Sequence, residues 1–391
     1  SNSFSNKKMD QPKRKPPLDW EEELCSEEIK IQERIQVPTF GLAPTRRFKK
    51  LFANQALGIL ESPMDTVACI THHQPSPRRV LASCINTEFE KKHFDVLQGH
   101  SKEVKCVAFS QTNNNLMATG SRDKIALLWD LAKRTRTELI GHVGTVSAVC
   151  FSGDSLLYTG GTDREIRCWS VKTGKCLHFI NTHSSPITSI SCSPDGKCLA
   201  SASEDKTACL TDVASRTGIR RFSDHENWVS GVVFSSGGGK LASCSYDKTA
   251  RIYDVRSGDR LHVLKHGDRV LTATFLERDR ILATDSESTI ILLWDVTIGT
   301  CLKTLNADKG PVHSVVSMHD RLVSGSSDTC LWSTEGDKQT TLSVLKTVNG
   351  VAVSHDGQKL AIACAGTNVF VWDLARVAST WLCKKTLFLF K

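Results

Sequence analysis

A pattern of about 40 residues returns along most of this chain. Its clearest copy, GHSKEVKCVAFSQTNNNLMATGSRDKIALLWD, runs from Gly99 to Asp130, and the next opens at Gly141 and His142. Aligned on the position near the end of each copy, the repeats place Trp129, Trp169, Thr211, Tyr253, Trp294, Trp332 and Trp372 at intervals of 40, 42, 42, 41, 38 and 40 residues. A fixed period of this length marks one supersecondary unit stacked on copies of itself, because a unit of that size cannot bury its apolar face alone. Each copy holds three short runs, such as Val104 to Phe109, Leu116 to Gly120 and Ile125 to Trp129, rich in apolar and β-branched residues. Turn sequences such as SPDGK (Ser193 to Lys197) and SHDGQ (Ser354 to Gln358) separate the first two runs. A fourth run precedes the next Gly-His pair, as in Lys175 to Ile180. The helical apolar period is missing throughout this region, so the spacing predicts four strands per unit.

These residues resemble the WD40 repeat, with its Gly-His opening and Trp-Asp close, over roughly residues 94 to 373. The resemblance implies an all-β fold, a β-propeller of seven blades. It also implies a buried chain of His, Ser or Thr, Asp and Trp in each blade, which falls on His100, Thr119, Asp123 and Trp129 and on His142, Thr159, Asp163 and Trp169. A buried carboxylate and imidazole are tolerable only when fully paired, and once paired they fix the geometry of a small sheet. These residues therefore read as structural rather than catalytic. The third repeat has His183, Ser201 and Asp205 but Thr211 at the tryptophan, and the fourth has Tyr253 there. The fifth keeps His266, Thr284 and Trp294 with Ser288 at the aspartate; the sixth keeps Ser324, Asp328 and Trp332; the seventh keeps only Trp372 and Asp373. Two locks of seven are complete, and the C-terminal blades are expected to be the looser ones.

A ring of blades must close or leave open edges. In the resembled family the outermost strand of the last blade comes from the N-terminal end, and Phe94 to Leu97 is placed to supply it, giving seven blades. A rival reading makes residues 67 to 93 a degenerate eighth blade, with Val67 to Thr71 and Val80 to Cys84 as strands, but that stretch lacks the Trp, the Asp and a third strand. The chain thus divides into a polar, basic arm over 1–50 holding an acidic helical candidate from Asp19 to about Gln36, an extension over 51–93, the propeller over 94–373 and an apolar tail over 374–391. The arm is read as partly disordered or helical.

Charge and cysteine content exclude more than they assign. The net charge of +8 comes from 50 basic and 42 acidic side chains in 391 residues. Residues 1–50 hold eleven Lys or Arg against eight Asp or Glu, only +3, so the rest is spread thinly. The fifteen cysteines include no CxxC pair, and Cys106, Cys150 and Cys192 lie in strand-like runs, where a thiol packs as a small hydrophobe. No apolar run reaches membrane-spanning length and the N-terminus lacks a secretory core, which predicts an intracellular protein without a membrane role. Gly237, Gly238, Gly239 and Lys240 lack the spacing of a phosphate loop and fall where the preceding repeat has SPDGK, so they read as a turn. His72 and His73 have no third ligand placed by the sequence, and carboxylates form no local acid–base pair. No enzyme, metal, cofactor or small-molecule substrate is expected.

What remains is binding through the loops of a disc. The loops before the first strand and between the second and third strands share one rim, because the lock His and Asp must meet there. Residues three after the lock histidine are Glu103, Thr145, Pro186, Trp228 and Arg269, and those before the turn aspartate include Arg122, Thr162, Glu204, Tyr246 and Ser327. Arg122, Trp228, Tyr246 and Arg269 are the types that anchor interfaces, and Trp228 is the first candidate. The leading reading is a non-catalytic scaffold that assembles protein partners through this rim and its flanks. A second is a substrate receptor for a cullin-type ubiquitin ligase, because Tyr253, Asp254, Val255 and Arg256 resemble the WDxR variant of the family, with Asp254 and Arg256 as the adaptor contact. A third is an RNA-associated component of a nuclear ribonucleoprotein, drawing on the basic N-terminal clusters. Lys13, Arg14 and Lys15 resemble a nuclear import signal, which favours the nucleus over the cytoplasm.

Overall fold

The computed structural model describes residues 94–374 except 308, 309, 320, 334, 335 and 343–346. The chain divides into two units, 1–78 and 79–391, and the described residues all lie in the second. The described strands form seven antiparallel sheets of four strands each. Six are meanders of consecutive strands; blade 1, for example, runs Val104–Phe109, Leu116–Ser121, Ile125–Asp130 and Thr135–Ile140, from the channel outward. In blade 7 the strands Val348–Val353, Lys359–Cys364 and Asn368–Asp373 take Phe94–Gln98 as their outer strand, in a register from Phe94 opposite Trp372 to Gln98 opposite Asn368. The ring is therefore closed at seven blades, as the repeat count predicted, and residues 67–93 of the eighth-blade reading lie outside the described residues.

Burial follows strand position. Second and third strands are buried along almost their whole length, as in Leu116–Ser121, whereas outer strands such as Thr135–Ile140 are exposed on most residues. Apolar side chains from the facing strands of successive blades make each interblade core, for example Leu128, Leu139, Val146, Phe151 and Trp169 between blades 1 and 2. Around the channel, side chains bond the inner strand of one blade to the next. Thr188 Oγ1 donates to the carbonyl of Val229 at 2.6 Å, Ser230 Oγ to Val270 at 2.6 Å and Asn349 Nδ2 to Val104 at 2.8 Å, and Ser147 Oγ donates likewise to Ile187.

Blade 5 breaks this stitch, because Leu271 stands in the donor position. The next residue, Thr272, supplies the link to blade 6 by accepting the Val315 N–H on Oγ1 at 3.1 Å. Thr272 is held in turn by Asp285, whose carboxylate accepts its backbone N–H at 2.5 Å and its hydroxyl at 3.0 Å. Asp285 is fully buried where other second strands carry Gly120, Gly160, Ala202, Cys244, Gly325 or Ala363. Burial outweighs the two Thr272 bonds and pushes its carboxyl up to about 7.

In blades 1 and 2 the lock forms as a complete chain across the upper part of the blade. With the imidazole neutral, the Trp129 indole donates to Thr119 Oγ1 at 2.9 Å, the Thr119 hydroxyl to His100 Nε2 at 2.8 Å, and His100 Nδ1 to Asp123 at 2.9 Å. In blade 2 the corresponding bonds through Trp169, Thr159, His142 and Asp163 are 2.8, 2.7 and 2.8 Å. The carboxylates also cap rim turns, Asp163 accepting the N–H groups of Val143 at 3.0 Å and Glu165 at 3.3 Å. Burial alone would raise the Asp163 carboxyl, but His142 and these N–H groups together hold it down to about 2. In these blades the carboxylate acceptors are taken up by the lock histidine and by rim N–H groups.

Blades 3 and 4 keep the His–Asp pair, at 2.9 Å for His183 and Asp205 and 2.7 Å for His225 and Asp247. In blade 5, where Ser288 replaces the aspartate, His266 Nδ1 turns to the Leu264 carbonyl at 3.1 Å. In blade 7 the fully buried Ile362 stands where Thr119 and Thr159 stand, two residues beyond the partner of the tryptophan, and the Trp372 indole N–H is buried without a hydrogen-bond partner. A hydroxyl restored at this position is therefore expected to stabilise. Ile362→Thr should exceed the isosteric Ile362→Val by about 1 kcal/mol in chemical denaturation, and an equal or lower stability would show that the indole gains nothing there.

Candidate functional site

The two sets of rim positions read from the repeat are backbone partners, blade by blade. The N–H before the turn aspartate donates to the carbonyl three residues after the lock histidine: Arg122 to Glu103 at 3.0 Å, Thr162 to Thr145 at 2.9 Å, Glu204 to Pro186 at 3.0 Å and Tyr246 to Trp228 at 2.9 Å. In blade 5 the pair is Glu287 and Arg269, also at 3.0 Å. Each of these five blades thus presents two adjacent rim residues, and Glu204, Trp228 and Tyr246 among them line the channel.

Three of the four predicted rim residues come together in blades 4 and 5. The rings of Trp228 and Tyr246 lie 5.6 Å apart at 33°, and the Arg269 guanidinium sits over the Tyr246 ring, 5.0 Å from its centroid. Arg269 also pairs with Glu287 at 3.4 Å. Trp228 is 43% exposed, so its indole is held at one edge and open to solvent over the rest. Burial, with Glu287 close by, raises the Tyr246 phenol above its ordinary range, against the opposing charge of Arg269. Arg122 belongs to a separate network: its guanidinium pairs with Glu103 at 3.0 Å, which also accepts Lys105 at 3.1 Å and Asn349 at 2.9 Å.

Beneath the rim the inner strands enclose a channel of about 380 Å³, with Glu204, Trp228 and Tyr246 at its mouth. Its volume suits an inserted side chain rather than a folded element. Glu204 was visible in the sequence as a member of the rim series but carried no signal of its own. Assembly sets this partly buried carboxylate of blade 3 in one lining with the aromatic pair of blade 4, and burial raises its carboxyl.

Asp254 and Arg256 lie at the opposite ends of the strands, in the turn after the third strand of blade 4. Asp254 Oδ1 accepts the N–H groups of Arg256 at 2.9 Å and Ser257 at 2.8 Å. Asp295 makes the same turn with Thr297 at 2.7 Å, and Asp212 makes it with Ser215 at 2.6 Å. The aspartate therefore shapes a turn shared between blades, and Arg256 is left exposed. Gly237 to Lys240 form the expected turn, with Gly238 at φ +72°. The described cysteines are free, with the Cys150 and Cys192 sulfurs 3.1 Å apart between neighbouring inner strands. Among the described residues no three His, Cys, Asp or Glu are placed to hold a metal, and no helix is long and apolar enough to cross a membrane. Lys13, Arg14, Lys15, His72 and His73 lie outside the described residues.

The profile of the WD domain, G-beta repeat, matches residues 91–130, 133–170, 174–212, 216–254 and 338–373. The unmatched stretch covers most of blades 5 and 6. Among curated proteins, p21-activated protein kinase-interacting protein 1-like of Danio rerio is 39% identical over 28% of this chain and 29% of its own length. Nuclear distribution protein nudF of Aspergillus niger is 33% identical over 43% of this chain and 40% of its own. THO complex subunit 3 of Arabidopsis thaliana is 26% identical over 58% of this chain and 74% of its own. The chain therefore spans well under half of the first two relatives. Each matched repeat begins on the outer strand of one blade and ends on the third strand of the next, the same frame in which Phe94–Gln98 closes the ring, and on this agreement the chain belongs to the WD40-repeat family.

Proposed function

We propose that this protein is a non-catalytic scaffold that holds protein partners against the upper rim of its propeller, with its flanks as further docking arms. The observation that carries the reading is the ladder of Trp228, Tyr246 and Arg269: an exposed indole, braced from one side and set at a channel mouth. Tryptophan, tyrosine and arginine are the residues that most often supply binding energy at interfaces, and a braced ring loses little conformational freedom when covered. Two relatives carry names that describe a kinase-interacting protein and a complex subunit, in keeping with a propeller used for assembly.

Affinity capture with the full chain tests this. Trp228→Ala is expected to weaken retention of rim-bound proteins by about 30-fold, the effect of losing roughly 2 kcal/mol at an interface centre. The denaturation midpoint should stay near that of the wild type, because the side chain is exposed. An unchanged set of retained proteins at unchanged yield would remove the rim from the proposal.

A further inference from the structure

The ladder at the channel mouth is filled by the protein's own cation on one side only. Over Tyr246 sits Arg269, 5.0 Å from the ring centroid, with the Glu287 carboxylate on its guanidinium at 3.4 Å. The sequence therefore already builds one aromatic–guanidinium–carboxylate sandwich. On the neighbouring side stand the open indole of Trp228 and the carboxylate of Glu204, which lies close enough to Tyr246 to raise its phenol. Among the described residues no ion pair is formed by Glu204. We propose that this second half-site receives an arginine side chain from an extended, basic segment of a partner protein, its guanidinium entering the channel mouth, stacked on Trp228 and paired with Glu204.

The channel wall selects the same chemistry. The hydroxyls of Thr188 and Ser230 spend their protons on the carbonyls of Val229 and Val270, so what they can still offer is acceptor lone pairs. A guanidinium is donor-only, with five N–H groups, and stacks on aromatic faces, so it matches acceptor oxygens, indole and carboxylate together. The basic groups of the opposite wall do not compete. Lys105 is engaged by Glu103 at 3.1 Å, and burial lowers the His313 imidazole toward its neutral form. A phosphate backbone would meet the Glu204 and Glu287 carboxylates and is disfavoured on the same ground.

This inference rests on the rim reading above but can fail without it. The test titrates the full chain into a rhodamine-labelled peptide, Gly-Ser-Arg-Ser-Gly, and into its citrulline counterpart, which keeps the shape and loses the charge. Fluorescence anisotropy should report binding of the arginine peptide at least about tenfold tighter than the citrulline peptide. Trp228→Ala and Glu204→Gln should each remove most of that preference, whereas Lys172→Ala, exposed in the turn after the third strand of blade 2, should leave it. No measurable binding, equal binding of both peptides, or an arginine preference untouched by Glu204→Gln overturns the proposal. So does tighter retention of a single-stranded oligonucleotide that depends on Trp228. Loss of captured proteins in Trp228→Ala without arginine preference would leave the scaffold standing and reject the half-site.

Discussion

Asp285→Asn is expected to raise the folding stability of this propeller by about 4 kcal/mol at pH 8 and to leave it nearly unchanged at pH 4. The carboxyl is fully buried and titrates near 7 in the fold, against an ordinary value of 3.8. An acid whose folded value is raised stabilises the fold only while it is protonated in both states. Below 3.8 the unfolded chain also holds the proton and nothing is lost. Between 3.8 and 7 the unfolded chain releases it while the fold keeps it, and stability falls by about 1.4 kcal/mol per pH unit, for a total of about 4 kcal/mol. Above 7 the loss is complete.

Asparagine keeps the acceptor for the Thr272 N–H and offers its amide to the Thr272 hydroxyl, so the link to blade 6 survives without a charge. The wild-type profile by itself is a poor readout, because the half-buried His266 works in the other direction. Burial lowers its imidazole to about 4, so its contribution is lost as pH falls from 6.5 to 4, over much of the window in which Asp285 gains. The difference between wild type and Asp285→Asn, measured from urea midpoints at a series of pH values, cancels His266. A difference that stays flat from pH 4 to 8 would show that Asp285 carries no such penalty.

Thr159→Val carries the other large expected effect, a loss of about 2–5 kcal/mol. The exchange preserves shape and removes one hydroxyl that serves two partners, the Trp169 indole at 2.8 Å and the His142 imidazole at 2.7 Å. Thr159 is fully buried and Trp169 is 2% exposed, so water does not replace the lost bonds. The cost is the desolvation of two orphaned groups rather than the modest net value of two hydrogen bonds. The same Thr–Val comparison at position 362 runs with the same sign but a smaller size, because in blade 7 the indole is orphaned already and valine there leaves no further group unpaired. A loss below about 1 kcal/mol for Thr159→Val would mean that the lock is decoration on a sheet held by packing alone.

The period, the blade count and the closing strand were legible because they are written in residue identity at fixed spacing. Trp129 and Trp169 mark third strands, Gly-His marks entry to the first, and Phe94 precedes the first complete copy. Trp228 and Tyr246 could be chosen because slot and residue type coincided. Glu204 could not, since its slot also holds Arg122 and Thr162, and it joins the pocket lining with Trp228 and Tyr246 only when blade 3 packs beside blade 4. Arg122 shared the residue type but is drawn to Glu103 instead. Asp285 lies one position beyond the lock residue Thr284, outside the lock pattern, and its signal in the sequence is a carboxylate where other repeats have Gly120, Gly160 and Ala202. Asp254 shows the converse: its resemblance to an adaptor motif lies on a turn that Asp212 and Asp295 also make.

The closing strand also sets a timetable. Gln98 pairs with Asn368, 270 residues later, so the first described strand to leave a ribosome is the last to find its sheet. At about 5–20 residues per second, Phe94–Gln98 waits roughly a quarter of a minute to a minute for its partner. Blades 1 to 6 can complete from consecutive strands as they emerge, whereas blade 7 depends on the oldest and newest parts of the nascent chain. Its third strand carries Trp372, the tryptophan whose lock was never furnished, so the sheet assembled last rests on strand pairing and apolar contact with Phe94 rather than on a buried polar chain.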